Sequence, residues 1–406
     1  MIAIGTKNQA YASSQQQIRD ENIMLLFNQI RKAPVSRAAL AEIASLSPTT
    51  VSTLVEDLIR GGWVVETGTD VTFVRGRRPV ILTVNASRGY VATVELLSRG
   101  YICTLYDICL NKITGTRIHN TEYDGASVSA TIHELLKSKR IPKNQLLGTH
   151  TIFPGMIDSA SNTLRFSAVI PHESMPEPTF LQTLNKSFGS SHNVLSNNGS
   201  IIAYTEFISE KRQSSLPLLS INIDEGIIGG VVMSDDQSGV RMCFPVEIGH
   251  IIVDHNGPQC KCGNAGCLEA LCSTPSLFRM MNERAGMSLT YMDTFGADCN
   301  VTAMEEVAAR LRAYDSAAMT VLADYVHILC SGLVSVVNLL NIQSIRIGGD
   351  IALLNDALLN AIRSTLRDRF RPLNNTCEVE VELFTSDYED IRRAAAIQCM
   401  DELFHR

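Results

Sequence analysis

The chain has 406 residues, of which 45% are hydrophobic and 19% charged. That composition excludes global disorder and suits two or three domains around a large core. A net charge of -7 excludes a protein that is basic all over. The N-terminal segment lacks the basic start and long apolar core of a signal peptide. No apolar run reaches the eighteen or so residues that a membrane helix needs. These features predict a cytoplasmic protein with no membrane insertion. The eleven cysteines then fit thiols that are reduced or metal-bound, and a disulfide framework is the weaker reading.

Charge is uneven along the chain. Residues 1–85 carry nine Lys/Arg against seven Asp/Glu, a balance of +2, whereas the remainder stands at -9. Arg75, Arg77 and Arg78 fall together near the end of the basic part. This asymmetry suits a small DNA-contacting module on an acidic body.

A helical pattern starts near Ile18, with Ile23, Leu26, Phe27 and Ile30 at three- and four-residue spacing, and Pro34 ends it. Ser36 is placed to cap a second helix, "RAALAEIA". In "SLSPTTVSTLVEDLIRGG", Ser47 is the predicted cap and Pro48 suits the first helical position. Val51, Leu54, Val55, Leu58 and Ile59 make one apolar stripe, and Gly61–Gly62 stops the helix. Thr49, Thr50, Ser52 and Thr53 lie on the opposite face, near the N-terminus. Short hydroxyl side chains there, with Ser47, suit a recognition helix reaching base edges and phosphates. "WVVET" and "VTFV" alternate like two strands around "GTD", predicting a β wing. "RGRRP" then offers three guanidinium groups to phosphates or a narrow minor groove. The competing reading is a helical hairpin used only for protein contacts.

From Arg88 onward, strands alternate with helices. "GYVATVELLSRGYICTLYDI" and "PLLSINIDEGIIGGVVMS" read as β-hairpins, and "LLGTHTIFPGMID" as a buried strand ending in a Pro154–Gly155 turn. "SHNVLSNNGSIIAYTEF" reads as strand, polar loop and helix, and residues 333–366 as helix, strand, Gly348–Gly349 turn and helix. The pattern predicts an α/β body of two lobes with a cleft between them.

The segment "EIGHIIVDHNGPQCKCGNAGCLEA", Glu247–Ala270, concentrates the metal-ligating residues. Cys260, Cys262 and Cys267, with His250 or His255 as the fourth donor, supply three thiolates and one imidazole. That donor set closes a tetrahedral zinc site and leaves no position for catalytic water, so the predicted role of Zn2+ is structural. The spacing does not match a two-Cys, two-His DNA finger.

These motifs also carry a resemblance. "EIGH" at 247–250, "CKCGNAGCLE" at 260–269, "VNLLNIQSIRIGG" at 337–349, "FPG" at 153–155 and "LSPTTVS…RGRRP" together resemble the ROK family (repressors, open reading frames and sugar kinases), on its Mlc- and NagC-like regulator branch. The resemblance spans nearly the whole chain. It implies a winged helix-turn-helix over residues 1–85 and a two-lobed actin-like/ribonuclease-H-like sugar-kinase body. The implied first lobe is 86–198, completed by a C-terminal helix at about 385–406, and the second is 199–384. It favours His250 as the fourth zinc ligand, and it implies sugar contacts at Asn197, Asn198, Glu247, His250 and Glu269.

Three departures bear on catalysis. Asn198 stands where active kinases of the family carry an aspartate base, and an amide cannot take a proton at neutral pH. Glu95, Leu97 and Arg99 occupy the places of a glycine-rich phosphate loop, so the backbone there leaves no room for a phosphate. Asp224 and Glu225 sit at the second nucleotide hairpin and would repel phosphate. On the sugar side, Pro245–Val246 replaces a glycine-containing lead-in, and Val169 stands where an asparagine is usual. The expectation is a catalytically inactive body behind a DNA-binding head. Such a chain would repress genes of carbohydrate uptake or metabolism as a homodimer or homotetramer on operator DNA. Its effector would be a sugar, a sugar phosphate or a regulatory protein partner. The rival expectations are an active ROK sugar kinase with an N-terminal DNA-binding extension, and a thiol or zinc sensor.

Overall fold

A computed structural model describes residues 14–69, 80–119, 123–158, 163–167, 169–170, 174–189, 192–208, 216–234, 241–292, 300–370, 379–384 and 388–404. The N-terminal head holds helix α1 (Ser14–Lys32), strand β1 (Val35–Ser36), α2 (Arg37–Ala44), α3 (Pro48–Arg60), β2 (Val64–Thr69) and β3 (Val80–Val84). The caps fall where the sequence predicts them. Ser36 Oγ accepts from the Ala39 amide at 3.3 Å, and Ser47 Oγ from the Thr50 amide at 3.1 Å. Val51, Leu54, Val55 and Leu58 of α3 are buried, so the apolar stripe faces the head's core.

The wing differs from the alternation pattern. β2 runs on through Gly68 and Thr69, where the sequence predicts a turn, and it pairs with Val80–Val84. Gly68, at φ +101°, sits in a register shift between Glu66 and Thr69, so this glycine marks a bulge within a strand. Leu82 of β3 enters the head's core and the strand also pairs with β1, giving the order β1-β3-β2. Val71–Val74, Arg75, Arg77 and Arg78 lie outside the described residues.

The first lobe comprises β4 (Tyr90–Leu97), β5 (Gly100–Asp107), β6 (Lys112–His119), α4 (Gly125–Ser138), β7 (Leu146–Phe153), β8 (Met156–Asp158), β9 (Thr163–Phe166), α5 (Phe180–Phe188) and β10 (His192–Asn197). Its sheet has the order β6-β5-β4-β7-β10. The second lobe comprises α6 (Asn198–Ile208), β11 (Leu218–Ile223), β12 (Ile227–Ser234), β13 (Arg241–Val246), α7 (Leu268–Cys272), α8 (Thr274–Ala285), α9 (Val301–Arg312), α10 (Ser316–Leu340), β14 (Ser344–Gly348), α11 (Asn355–Phe370) and β15 (Glu380–Leu383). Its sheet order is β13-β12-β11-β14-β15. In each sheet the first three strands form an antiparallel meander and the last two add in parallel. The body is therefore two copies of one topology.

Two further expectations are corrected. No polar loop separates β10 from the next helix: α6 starts at Asn198, because Asn197 Oδ1 accepts the Gly199 amide at 2.6 Å and closes the first turn. Helix α10, despite Asp324 and His327, is long and apolar enough to cross a membrane by length and composition. Val321, Leu322, Tyr325, Leu329 and Leu333 bury one of its faces in the core of the second lobe, as befits a central helix.

The chain ends in α12 (Tyr388–Phe404), which returns to pack on the first lobe's sheet against β7, β4 and β10. Its 17 residues span about 25 Å. Its last turn enters the head. Phe404 lies 5.0 Å from Phe27 and 5.8 Å from Trp63 between ring centroids, edge to face. Asn28 Nδ2 donates to the Phe404 carbonyl at 2.9 Å, and Arg31 pairs with Asp401 at 3.3 Å. Head and body thus share one apolar core, which includes Leu26, Phe27, Trp63, Tyr106, Leu147, Met400 and Phe404.

Trp63 is the single tryptophan of the chain and is buried beside Phe404. Truncating Phe404→Ala is expected to cost about 3–5 kcal/mol in urea denaturation and to red-shift Trp63 emission while the protein is still folded. An unshifted spectrum would mean that head and body do not share a core.

Candidate functional site

The site lies between the lobes, where β10 runs into α6 and faces the β11–β12 hairpin. Gly199 and Gly229 allow this approach, because a Cβ on Gly199 would lie 2.0 Å from the Gly229 carbonyl oxygen. An outer cleft of about 450 Å³, open to solvent, is lined by Asn197, Asn198, Glu247, His250 and Glu269. All five residues that the resemblance implied as sugar contacts therefore face one space. The other wall is apolar: Met156, Phe166 and Val169 line it and are well exposed.

The five residues are not equally available. Asn197 is buried; its Nδ2 donates to the Gly155 carbonyl and its Oδ1 accepts the Gly199 amide. Its amide is committed to shaping the turn. Glu269 Oε2 accepts the Ile227 amide at 3.0 Å, and Gly226 leaves space for that carboxylate, since a Cβ there would lie 2.6 Å from it. Glu247 stands at the rim. Desolvation within the cleft raises its carboxyl above the ordinary value; His250 opposes the shift and Glu269 adds to it.

Beside the outer cleft, His250, Cys260, Cys262 and Cys267 bring their ligand atoms within 4.8 Å of one another. Cys260 Sγ lies 3.7 Å from His250 Nδ1, and Cys262 Sγ lies 3.6 Å from Cys267 Sγ. A tetrahedral ion with metal–sulfur bonds of about 2.3 Å would separate its ligands by about 3.7 Å, so the donor set fits an ion such as zinc. Burial, followed by the neighbouring thiols, pushes the Cys267 thiol up to about 12. Gly263 and Gly266, at φ +95° and +70°, turn the loop tightly around the cluster. His255 is exposed and lies outside the cluster, and Cys272 is buried in α7. Lys261 pairs with Glu225 at 2.9 Å and ties this loop to the β11–β12 hairpin.

A deeper cleft of about 1150 Å³, likewise open to solvent, continues from the outer one toward β4 and α12. Its wall holds an ion pair that no local motif announces. Arg392 Nη1 donates to Glu95 Oε2 at 2.7 Å, and Arg392 Nη2 to Glu389 at 3.3 Å. Glu95 and Arg392 are 297 positions apart and both are buried. Glu95 thus anchors α12 to β4. Across the cleft, Asp224 Oδ1 accepts the Asp350 amide at 2.5 Å, and Asn300 Nδ2 donates to Asp350 at 3.1 Å. Tyr291 lines the same wall, and its hydroxyl is pushed well up by burial and then by the charges of Asp350, Asp224 and Glu225.

On the head, Ser47, Thr49, Thr50, Ser52 and Thr53 are all exposed. Some of their hydroxyls already have partners. Ser47 Oγ and Thr50 Oγ1 lie 2.8 Å apart, and Thr53 Oγ1 donates to the Thr49 carbonyl at 3.1 Å.

A helix-turn-helix head carried on a duplicated α/β body with an interlobe cleft and a His/Cys3 knuckle defines a two-lobed, sugar-kinase-like protein with an added DNA-binding module. Residues 102–395 match the ROK family, and the chain belongs to it. Among curated proteins it is similar to the xylose repressor of Bacillus subtilis (strain 168), with 25% identity over 371 residues, covering 89% of this chain and 91% of that one. It is also similar to the DNA-binding transcriptional dual regulator NagC of Escherichia coli (strain K12), with 24% identity over 345 residues, covering 82% and 81%. A crystal structure described as a ROK family transcriptional regulator, homolog of the E. coli MLC protein, shares the fold at TM-score 0.70 and 20% identity. It covers 96% of this chain and all of that one. A ROK family glucokinase from Streptomyces griseus, solved with glucose and AMPPNP, gives TM-score 0.55 and 16% identity, over 76% of this chain and 99% of the kinase.

Removing one member of the buried pair leaves the other charge unbalanced. Arg392→Leu is expected to lower stability by about 3 kcal/mol in urea denaturation, whereas the double change Glu95→Leu/Arg392→Leu should recover most of that loss. Additive losses in the double variant would show that the two side chains do not interact.

Proposed function

We propose that this chain is a DNA-binding repressor of carbohydrate-use genes, with a body that senses an effector and does not transfer phosphate. The observation that carries the reading is α12, which lines the cleft at Arg392 and completes the head's core at Phe404. A ligand that changes lobe closure would move this helix and so the orientation of α3. Two-fold association into a homodimer or homotetramer would match α3 of each copy to half-sites of a palindromic operator. Thr49, Ser52 and Thr53 would meet base edges or phosphates, with Ser47 and Thr50 holding the helix start and Arg75, Arg77 and Arg78 adding backbone contacts. The similarity to a xylose repressor and to the DNA-binding transcriptional dual regulator NagC supports this reading. The division at residues 85 and 198, with α12 returning to the first lobe, belongs to the same proposal.

The kinase alternative is disfavoured by chemistry. Asn198 cannot act as a base, Glu95 is engaged by Arg392, and Asp224 already occupies the Asp350 amide. The effector would be gripped by Glu247 and Glu269, whose paired carboxylate oxygens suit vicinal hydroxyls, with the Asn198 amide and the His250 ring adding single hydrogen bonds. His250, Cys260, Cys262 and Cys267 would hold one structural Zn2+, which supplies rigidity to the loop carrying Glu247 and Glu269. A regulatory protein partner on the body remains compatible with this scheme.

In vitro selection from random duplex DNA tests the central statement. The full chain is expected to enrich one palindromic motif, and Thr49→Ala with Ser52→Ala to weaken binding to it about tenfold. Recovery of unselected sequence would defeat the reading. A coupled ATPase assay over hexoses and N-acetylhexosamines should give no turnover above background; sustained turnover would restore the kinase alternative. Elemental analysis is expected to find one zinc per chain, lost in Cys262→Ser together with several degrees of thermal stability. A metal-free chain of unchanged stability would remove zinc from the scheme.

A further inference from the structure

We propose that the deep cleft takes a neutral, glycosidically linked extension of the sugar held in the outer cleft, so that the effector class is a disaccharide or larger glycoside. The inference rests on the effector reading above and adds the ligand class.

The two clefts form one space. Pro154, Val169, Asn198, Ile228 and Glu269 line both, and the deep part is more than twice the outer part. The hydroxyl of a bound ring that faces Asn198 therefore points into a volume that a single ring leaves empty. The walls of that volume are mainly aliphatic: Leu96, Ile102, Ile152, Ile202, Ile228 and Ile391. Pyranose rings present apolar C–H faces and hydroxyl edges, which suits such walls with a few polar groups at their margins. Asn198, Asn222 and Ser98 supply those groups.

Charge excludes the other obvious extension, a phosphate. The deep cleft is lined by four carboxylates, Glu95, Asp224, Glu225 and Glu269, against two guanidiniums, Arg117 and Arg392. Arg392 is committed to Glu95 and Glu389, and Arg117 interacts with the same Glu95. The Asp350 amide, a candidate donor on the opposite wall, is occupied by Asp224. A phosphate would lose its hydration and meet a net negative surface, whereas a neutral glycoside would meet no such penalty.

Calorimetry on the full chain tests this. The probes are D-glucose and N-acetyl-D-glucosamine, their β-1,6-linked disaccharides, and their 6-phosphates, so that glycoside and phosphate extend the ring from the same oxygen. In at least one series the disaccharide is expected to bind about tenfold or more tighter than its monosaccharide, and the 6-phosphates more weakly than the free hexoses. Leu97→Asp and Ser98→Trp, which alter only the deep cleft, should abolish the gain from the second ring and leave monosaccharide binding unchanged; the latter also reports that the variants fold. A monosaccharide that binds with no gain from extension, a 6-phosphate that binds tightest, or a gain that survives both variants would overturn this inference and leave the effector site standing. Silence from every probe would overturn both.

Discussion

One helix belongs to two cores. α12 buries Ala394 and Ala395 in the body and Ala396, Met400, Leu403 and Phe404 in the core it shares with the head. Trp63 and Phe27 close over Phe404, so the DNA-facing domain has no complete core of its own. The head's position is therefore tied to whatever sets the position of α12. Close-packed interfaces of this kind move between discrete arrangements and do not deform continuously, which is how a small change at one end becomes a rigid-body change at the other.

At the opposite end of α12 the cleft wall carries a buried ion pair. Arg392 is held by Glu95 from β4 and by Glu389 from its own helix, and Glu389 also takes the Tyr106 hydroxyl at 2.5 Å. In the low-dielectric cleft, such a pair contributes position more than net stability. The second lobe reaches the same space through the β11–β12 hairpin. Glu269 fixes that hairpin by its bond to the Ile227 amide, and Lys261 fixes it again through Glu225. The His/Cys3 knuckle holds the segment that carries both Glu269 and Lys261. Glu269, the knuckle and the hairpin are therefore linked to one another and face α12 across the cleft.

Much of this was legible in the residues. Ser47, Pro48 and the Val51–Leu58 stripe specify α3 by cap, first-turn proline and period, and all three signals are local. The hairpins at Tyr90–Asp107 and Leu218–Ser234 follow from alternation around short turns. The knuckle follows from donor chemistry and spacing. What escaped was set by tertiary partners. Gly68 reads as a turn residue but sits in a bulge, because β2 continues through it to pair Thr69 with Val80. The start of α6 depended on the Asn197 side chain capping Gly199, where the polar run read as loop. The duplication of sheet order is invisible because the two lobes repeat topology without repeating sequence. Glu95 read only as a lost phosphate-loop residue, and nothing near it in sequence announces Arg392.

The central claim is that α12 carries the state of the cleft to the DNA-binding head. Hydrogen exchange along α12, in the full-length protein with and without DNA selected by it, is the direct measurement. Coupling predicts that DNA binding changes amide protection at both ends of the helix, around Met400–Leu403 beneath the head and around Ile391–Arg393 at the cleft. Changes confined to the head, with the cleft end of α12 unaffected by DNA, would contradict it.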